Sequence, residues 1–296
     1  VREYFSKEAK EDVTAMIKEI IAVYEKRIRN LSWMSEESKE QAVKKLGTMS
    51  VKVGYPDKWE DYSKIQIRTY KNGGSLYLNM KNIADFERLK ALRDLNRKVD
   101  KSRWRMPPQA INAYYNATAN EIVFPAAMLQ APFYDYKASK AKNYGGIGAV
   151  IGHEITHAFD DEGSKFDETG NLKDWWTKTD RENYKKRTAA LAKQYSRYRI
   201  GDEKINGQLT LGENIADLGG VSVALEIIKN ENPDNLEEFF EAYAAIWRNL
   251  TTKESESYLI KIDPHSPGKY RVNGILTNID DFYRIYNVKS SDEMYT

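Results

Sequence analysis

The chain has 296 residues, 41% of them apolar, including 20 Tyr, 9 Phe and 6 Trp, which is ample for a packed core and excludes a disordered polypeptide. Its 46 basic and 44 acidic residues nearly cancel, and a net charge of +2 gives no electrostatic footprint for nucleic acid or an anionic membrane surface. With no cysteine, a disulfide framework, a thiolate metal site and a cysteine nucleophile are all excluded, so any metal must be held by His, Asp or Glu.

Residues 6–31 repeat Val13, Met16, Ile17, Ile20, Ile21, Tyr24, Ile28 and Leu31 at three- and four-residue steps, which predicts a helix with a core-facing stripe. A second helix is expected from near Ser35, with Glu36 and Glu37 in its first turn, to Gly47. Strand and loop follow over 51–75, ending in the turn signal Asn72-Gly73-Gly74, and a third helix is expected over 79–98. Met106-Pro107-Pro108 breaks the chain. A boundary near residue 102 divides a helical segment, 1–102, from a second part, 103–296.

In that second part, Ile111 to Tyr115 and Glu121 to Phe124 read as two strands joined by a turn over 116–120. A helix is expected around 138–159, a polar loop from Asp160 to Lys173, and helices near 178–197, 210–230 and 236–250. The segment 258–288 reads as short strands, a Pro-Gly loop and a short helix. No apolar run reaches the roughly 18 residues of a membrane-spanning helix, and the N-terminus lacks the apolar core of a signal peptide. It begins like a cut inside a longer protein, which leaves the compartment open between cytoplasm and a bacterial cell surface or secreted location.

The chemistry gathers in two places. Of three histidines, two form His153-Glu154-Ile155-Thr156-His157. On a helix, i and i+4 share a face, so both imidazoles can reach one cation with Glu154 beside them on its open side. Val150, Ile151, Ala158 and Phe159 make the surroundings apolar, where two His and a Glu need a partner. A catalytic zinc takes three protein ligands and keeps one position for water. Glu213 and Asp217, again i and i+4, lie among Ile215, Ala216, Leu218, Gly219, Gly220 and Val221. They suit a third ligand and a carboxylate that orients a ligand His.

Several separated motifs then resemble the neprilysin and endothelin-converting enzyme family of zinc metallopeptidases, including the bacterial endopeptidase O group. They are Asn112 to Tyr115, Ile122 to Ala126, Asn143 to Gly148, the HEITH helix, Asp174-Trp175-Trp176, Gly212 to Gly220, and Asp263 to Gly268. The resemblance implies a mostly helical α+β fold. It consists of a thermolysin-like zinc peptidase domain with a small edge-strand sheet, preceded by a helical lid-domain tail and linker. It implies one zinc ion per chain on His153, His157 and Glu213, Glu154 as general base, and Asp217 orienting a ligand His. It further assigns Asn112 and Ala113 to an edge strand that binds extended peptide, and His265 to the oxyanion. Arg271 would grip the substrate backbone, and Phe133, Val150, Ile246 and Trp247 would form an apolar first primed subsite.

The implied activity is hydrolysis of oligopeptides on the amino side of large hydrophobic residues. The implied partners are those peptides and an N-terminal portion of the same protein, with no nucleic acid and no membrane segment in this chain. Family members are longer and close in Trp, whereas this chain stops at Tyr295-Thr296. Read without the resemblance, His265 suits a structural role as well as a catalytic one, Asn112 could be a plain strand residue, and Trp247 and Phe133 plain core. An inactive zinc-binding relative and a zinc hydrolase of other substrates also stay open.

Overall fold

The computed structural model describes residues 1, 3–233 and 236–295. Helices α1 (Lys7–Arg29) and α2 (Glu36–Gly47) start where side chains can cap them, Ser6 accepting from the Ala9 N–H and Ser35 from the Ser38 N–H. The apolar stripe of α1 is buried at Val13, Met16, Ile17, Ile20, Tyr24 and Ile28. A three-stranded sheet follows, in the order β1-β3-β2. Strand β1 (Ser50–Gly54) runs parallel to β3 (Glu121–Pro125), with Val51 opposite Ile122. Strand β2 (Tyr114–Asn116) runs antiparallel to β3 with Tyr115 opposite Ile122, and forms one edge. All five residues of β3 are buried: Ile122 to Phe124 are the apolar run of a central strand, and Glu121 pairs with Lys52 at 2.7 Å.

The expected helix over 138–159 forms in three pieces. These are α4 (Lys140–Asn143), a π-helical stretch at Tyr144–Gly148, and α5 (Ala149–Thr156). The wide turn occurs where Gly146 lies against Phe133: a Cβ there would stand 2.3 Å from the Phe133 carbonyl oxygen, which also accepts the Ile147 N–H at 2.7 Å. Helices α6 (Lys178–Tyr195) and α7 (Leu211–Glu231) follow, separated by a small antiparallel pair, β4 (Arg199–Ile200) and β5 (Glu203–Lys204).

Helix α8 (Leu236–Ile246) ends earlier than the expected residue 250. The chain there turns to meet the start of a later helix, where a Cβ on Gly268 would stand 2.7 Å from the Trp247 carbonyl oxygen. The C-terminal segment is not the expected mixture of strands and loop. It folds as α9 (Lys253–Ile262), α10 (Gly268–Leu276) and α11 (Asp280–Tyr286), helices too short to carry a long periodic signal. The expected third helix forms as α3 (Leu76–Asp94), capped by Ser75.

The chain divides into two compact units, one of residues 1–55 and 106–296, the other of Pro56–Arg105. This differs from a division at residue 102. Helix α1 packs on α5 and α7, and β1 pairs with β3, so the first 55 residues share the core of the larger unit. The smaller unit holds a short turn of 3-10 helix and α3, which buries no side chain. Among the described residues no helix is long and apolar enough to cross a membrane.

Helices α5 and α7 cross backbone to backbone. A Cβ on Gly152 would stand 2.7 Å from Gly220 Cα, and one on Gly220 would stand 2.3 Å from the Ala149 oxygen and 2.6 Å from the His153 nitrogen. Backbone cannot yield as a side-chain tip does, so Gly220→Ala should lower stability by about 1 to 3 kcal/mol. Urea unfolding of the metal-free protein followed by circular dichroism checks this; an unchanged midpoint would show that the helices can part without cost.

Candidate active site

Helix α5 presents His153 and Glu154, and His157 caps its C-terminal end; the first two are 7% and 6% exposed. Across the glycine crossing, the first turns of α7 present Glu213 and Asp217. The ring nitrogens His153 Nε2 and His157 Nε2 are 2.9 Å apart. Glu213 Oε2 lies 3.3 Å from the first and Glu213 Oε1 lies 3.6 Å from the second.

Each imidazole is held from behind by a carboxylate. His153 Nδ1 meets Asp217 Oδ1 at 2.7 Å and His157 Nδ1 meets Asp160 Oδ2 at 2.6 Å. With both Nδ1–H groups donated, both Nε2 lone pairs point at the same small volume. Asp217 is fixed in turn by Arg271, whose Nε donates to Oδ2 at 2.7 Å and whose Nη2 donates to Oδ1 at 2.6 Å. The guanidinium lies 3.8 Å from the ring centre of Trp247, a cation–π stack.

These contacts set the charges. Burial opposes ionisation of Asp217, but Arg271 and His153 outweigh it and hold the carboxyl far below its usual range. Burial likewise opposes ionisation of Glu213, yet His153, His157 and His265 hold it down to about 2. Burial disfavours a charged His153, but Asp217 and Glu213 push its pKa up to about 10. The two acids therefore favour positive charge beside them, which a protonated His153 or a bound cation supplies.

A divalent cation fits that demand. His153, His157 and Glu213 offer ligand atoms all within 4.8 Å of one another, and the buried Glu213 Oε2 has no hydrogen-bond partner. Ligands roughly 2.1 Å from a tetrahedral zinc stand roughly 3.3 Å apart, close to the spacings observed. Two imidazoles and one carboxylate are a donor set suited to zinc.

The triad opens on a cavity of about 580 Å³ lined also by Glu154, Asn112, Ala113, Phe133, Val150, Trp247, His265 and Arg271. Ile246 does not line it and packs against the hydrophobic core. Asn112 and Ala113 lie just before β2 and line the cavity, and Asn112 Oδ1 accepts the Ala113 N–H at 2.9 Å. His265 lines the same cavity, with Nδ1 held by Asp263 at 2.7 Å and Nε2 3.3 Å from Glu213 Oε2. Its loop is tied to α7 by Ser266, whose hydroxyl donates to the buried Asn214 Oδ1 at 2.8 Å. A larger cavity of about 700 Å³, beside Tyr184 and Leu211, contains none of the ligand residues, so chemistry and not size locates the site.

Sequence reading placed Asp160 at the start of a polar loop and did not single out Asp263. An acid three residues beyond the second His, where the helix ends, is the signal that could have singled out Asp160. Asp263 offered none without knowing where His265 points.

Two sequence models described as peptidase family M13 match residues 112–296 and residues 1–56. All of the smaller unit but Pro56 falls in the interval between the two matches. The neutral endopeptidase of Lactococcus lactis subsp. lactis strain IL1403 is 40% identical over 295 residues, 99% of this chain and 46% of the relative. The PEPO structure from Lactobacillus rhamnosis HN001 superposes with a TM-score of 0.95 at 36% identity, covering 100% of this chain and 47% of that one. The zinc metalloprotease ZMP1 of Mycobacterium tuberculosis, solved with an inhibitor, superposes with a TM-score of 0.91 at 40% identity, covering 97% and 46%. The chain thus spans about half the length of the relatives it matches.

Replacing Asp217 by Ala would leave Arg271 buried with its main partner gone and His153 without its orienting acceptor. The expected result is a loss of about 3 to 5 kcal/mol in the metal-free protein, together with zinc binding weaker by about 10- to 100-fold. Urea unfolding and competition with a chromophoric chelator measure the two effects separately.

Proposed function

The chain belongs to peptidase family M13, and on that premise we propose that it carries the catalytic machinery of a zinc-dependent endopeptidase acting on oligopeptides. The observation that supports this most is the convergence of three ligand atoms with Glu154 in one cleft, beside a sheet edge. His153, His157 and Glu213 would hold one zinc ion per chain. When bound, zinc would polarise the scissile carbonyl and lower the pKa of a water toward neutrality.

The rest follows from side chains. An extended peptide lies along the edge that continues from β2 through Ala113 and Asn112, where main-chain hydrogen bonds hold it without regard to sequence. Phe133, Val150 and Trp247 receive a large apolar side chain just after the bond to be cut, which sets cleavage on its amino side. Glu154 takes a proton from the attacking water as the C–O bond forms and delivers it to the leaving amine as the C–N bond breaks. His265, with Nδ1 held by Asp263, donates when protonated through Nε2 to the developing oxyanion, a contact worth about 3 kcal/mol of barrier. Arg271 grips the substrate backbone on the primed side and, through Asp217, keeps His153 in the tautomer that ligates. Besides the peptide, the proposed partner is the portion of polypeptide that the longer relatives have and this chain does not cover.

Glu154→Gln should retain zinc and lose turnover by at least about 100-fold, because the amide cannot accept the proton. Zinc content by atomic absorption and cleavage of a short apolar peptide test this; retained activity would exclude Glu154 as the base. Trp247→Ala should spread cleavage to smaller residues after the cut, read by mass spectrometry of a peptide mixture. An unchanged cleavage map would count against the pocket.

A further inference from the structure

Lys45, near the end of α2, is 1% exposed. Its ammonium has three protons, and they go to three main-chain carbonyls: Ala158, Gly163 and Phe166, each at 2.7 Å. Its Nζ lies over the rings of Tyr115 and Phe159, 5.9 and 5.8 Å from their centres. Burial pushes its pKa down to about 8, and Asp160 and Asp167 resist that fall. Burying a cation is costly unless it is fully hydrogen-bonded, and a helix-to-loop junction could be packed with an apolar side chain instead. The use of lysine here therefore calls for an explanation in what it holds.

The segment it holds begins one residue after His157 and contains Asp160. Asp160 accepts from His157 Nδ1 with Oδ2, while Oδ1 accepts the main-chain N–H groups of Glu162 at 2.8 Å and Gly163 at 2.6 Å. The turn is thus closed from inside by Asp160 and pinned from outside at both ends and near its middle by Lys45. The second pin comes from a distant part of the chain, in the region matched as residues 1–56, while the histidine belongs to the match over residues 112–296.

We propose that Lys45 is a positioning residue of the metal site: it fixes the turn over 158–166 so that Asp160 meets His157 at Nδ1 and the Nε2 lone pair stays aimed at the metal. The inference rests on the reading of His157 as a ligand, and goes beyond it by assigning a remote residue to the site. Lys45 touches neither metal nor substrate, so its effect must travel through Asp160.

The test is a zinc titration of the metal-free full chain against a chromophoric chelator, for wild type, Lys45→Met, Asp160→Asn and the double variant. Methionine keeps the apolar stem and removes the ammonium. The expected result is zinc binding weaker by about tenfold in Lys45→Met and by about 10- to 100-fold in Asp160→Asn. The double variant should bind within about twofold of Asp160→Asn, since both losses act through one contact. Amide hydrogen exchange at Glu162 and Gly163 should also quicken in Lys45→Met.

Zinc affinity within about twofold of wild type in Lys45→Met, or losses that multiply in the double variant, would overturn the proposal. If Lys45→Met does not fold, Lys45→Gln, which keeps two donors without the charge, enters the same titration with the same arms. Failure of both to fold would assign Lys45 to the fold as a whole and overturn the proposal too. A wild-type chain that binds no zinc would remove the underlying ligand reading instead, so the two failures are distinguishable.

Discussion

Two helices that touch through their backbones hold this structure together. Gly152 and Gly220 let α5 and α7 approach until a single added Cβ would collide with main-chain atoms. The closeness determines the chemistry. Side chains from adjacent turns of separate helices can share one small volume only if the helix axes are near each other. Here that places Glu213 and Asp217 within hydrogen-bond or ligand range of His153. The cost of bringing Glu213, Asp217, two imidazoles and an arginine into a buried space is offset by pairing these groups with one another.

That pairing forms two arms that meet at the imidazoles. On one side Arg271 holds Asp217, which holds His153. On the other, Lys45 holds the turn whose Asp160 holds His157. Both arms pass through a carboxylate to a buried cation, Arg271 beside the ligand atoms and Lys45 behind the turn, so each imidazole is oriented by the same device. Glu213 stands between them with one oxygen lacking a hydrogen-bond partner, the position at which a cation would complete the set.

The first 55 residues take part in this arrangement. Tyr24 of α1 donates to the Gly152 carbonyl at 2.9 Å and meets the Thr156 hydroxyl, so α1 supports the middle of α5 while α2 pins its exit. Strand β1 completes the sheet whose far edge faces the cleft. A site made of residues after 110 is therefore braced by residues before 56.

Much of this was legible from the residues alone, because local signals act over a few positions. The start of α2 followed from Ser35 with Glu36 and Glu37 after it, the stripe of α1 from its spacing, and the candidate ligands from pairs at i and i+4. Chemical type also carried information: two acids in an apolar helix and two histidines in another implied a shared cation before any geometry was known. The limits of α8, the helices after residue 252 and the place of residues 1–55 were not legible, since contacts between distant segments decide them. The pairings of Asp160 with Lys45's turn, of Asp263 with His265 and of Arg271 with Asp217 were equally hidden. Sequence determines which groups can ionise, ligate or cap; tertiary structure alone decides which of them meet, because burial and direction depend on residues more than 50 positions apart.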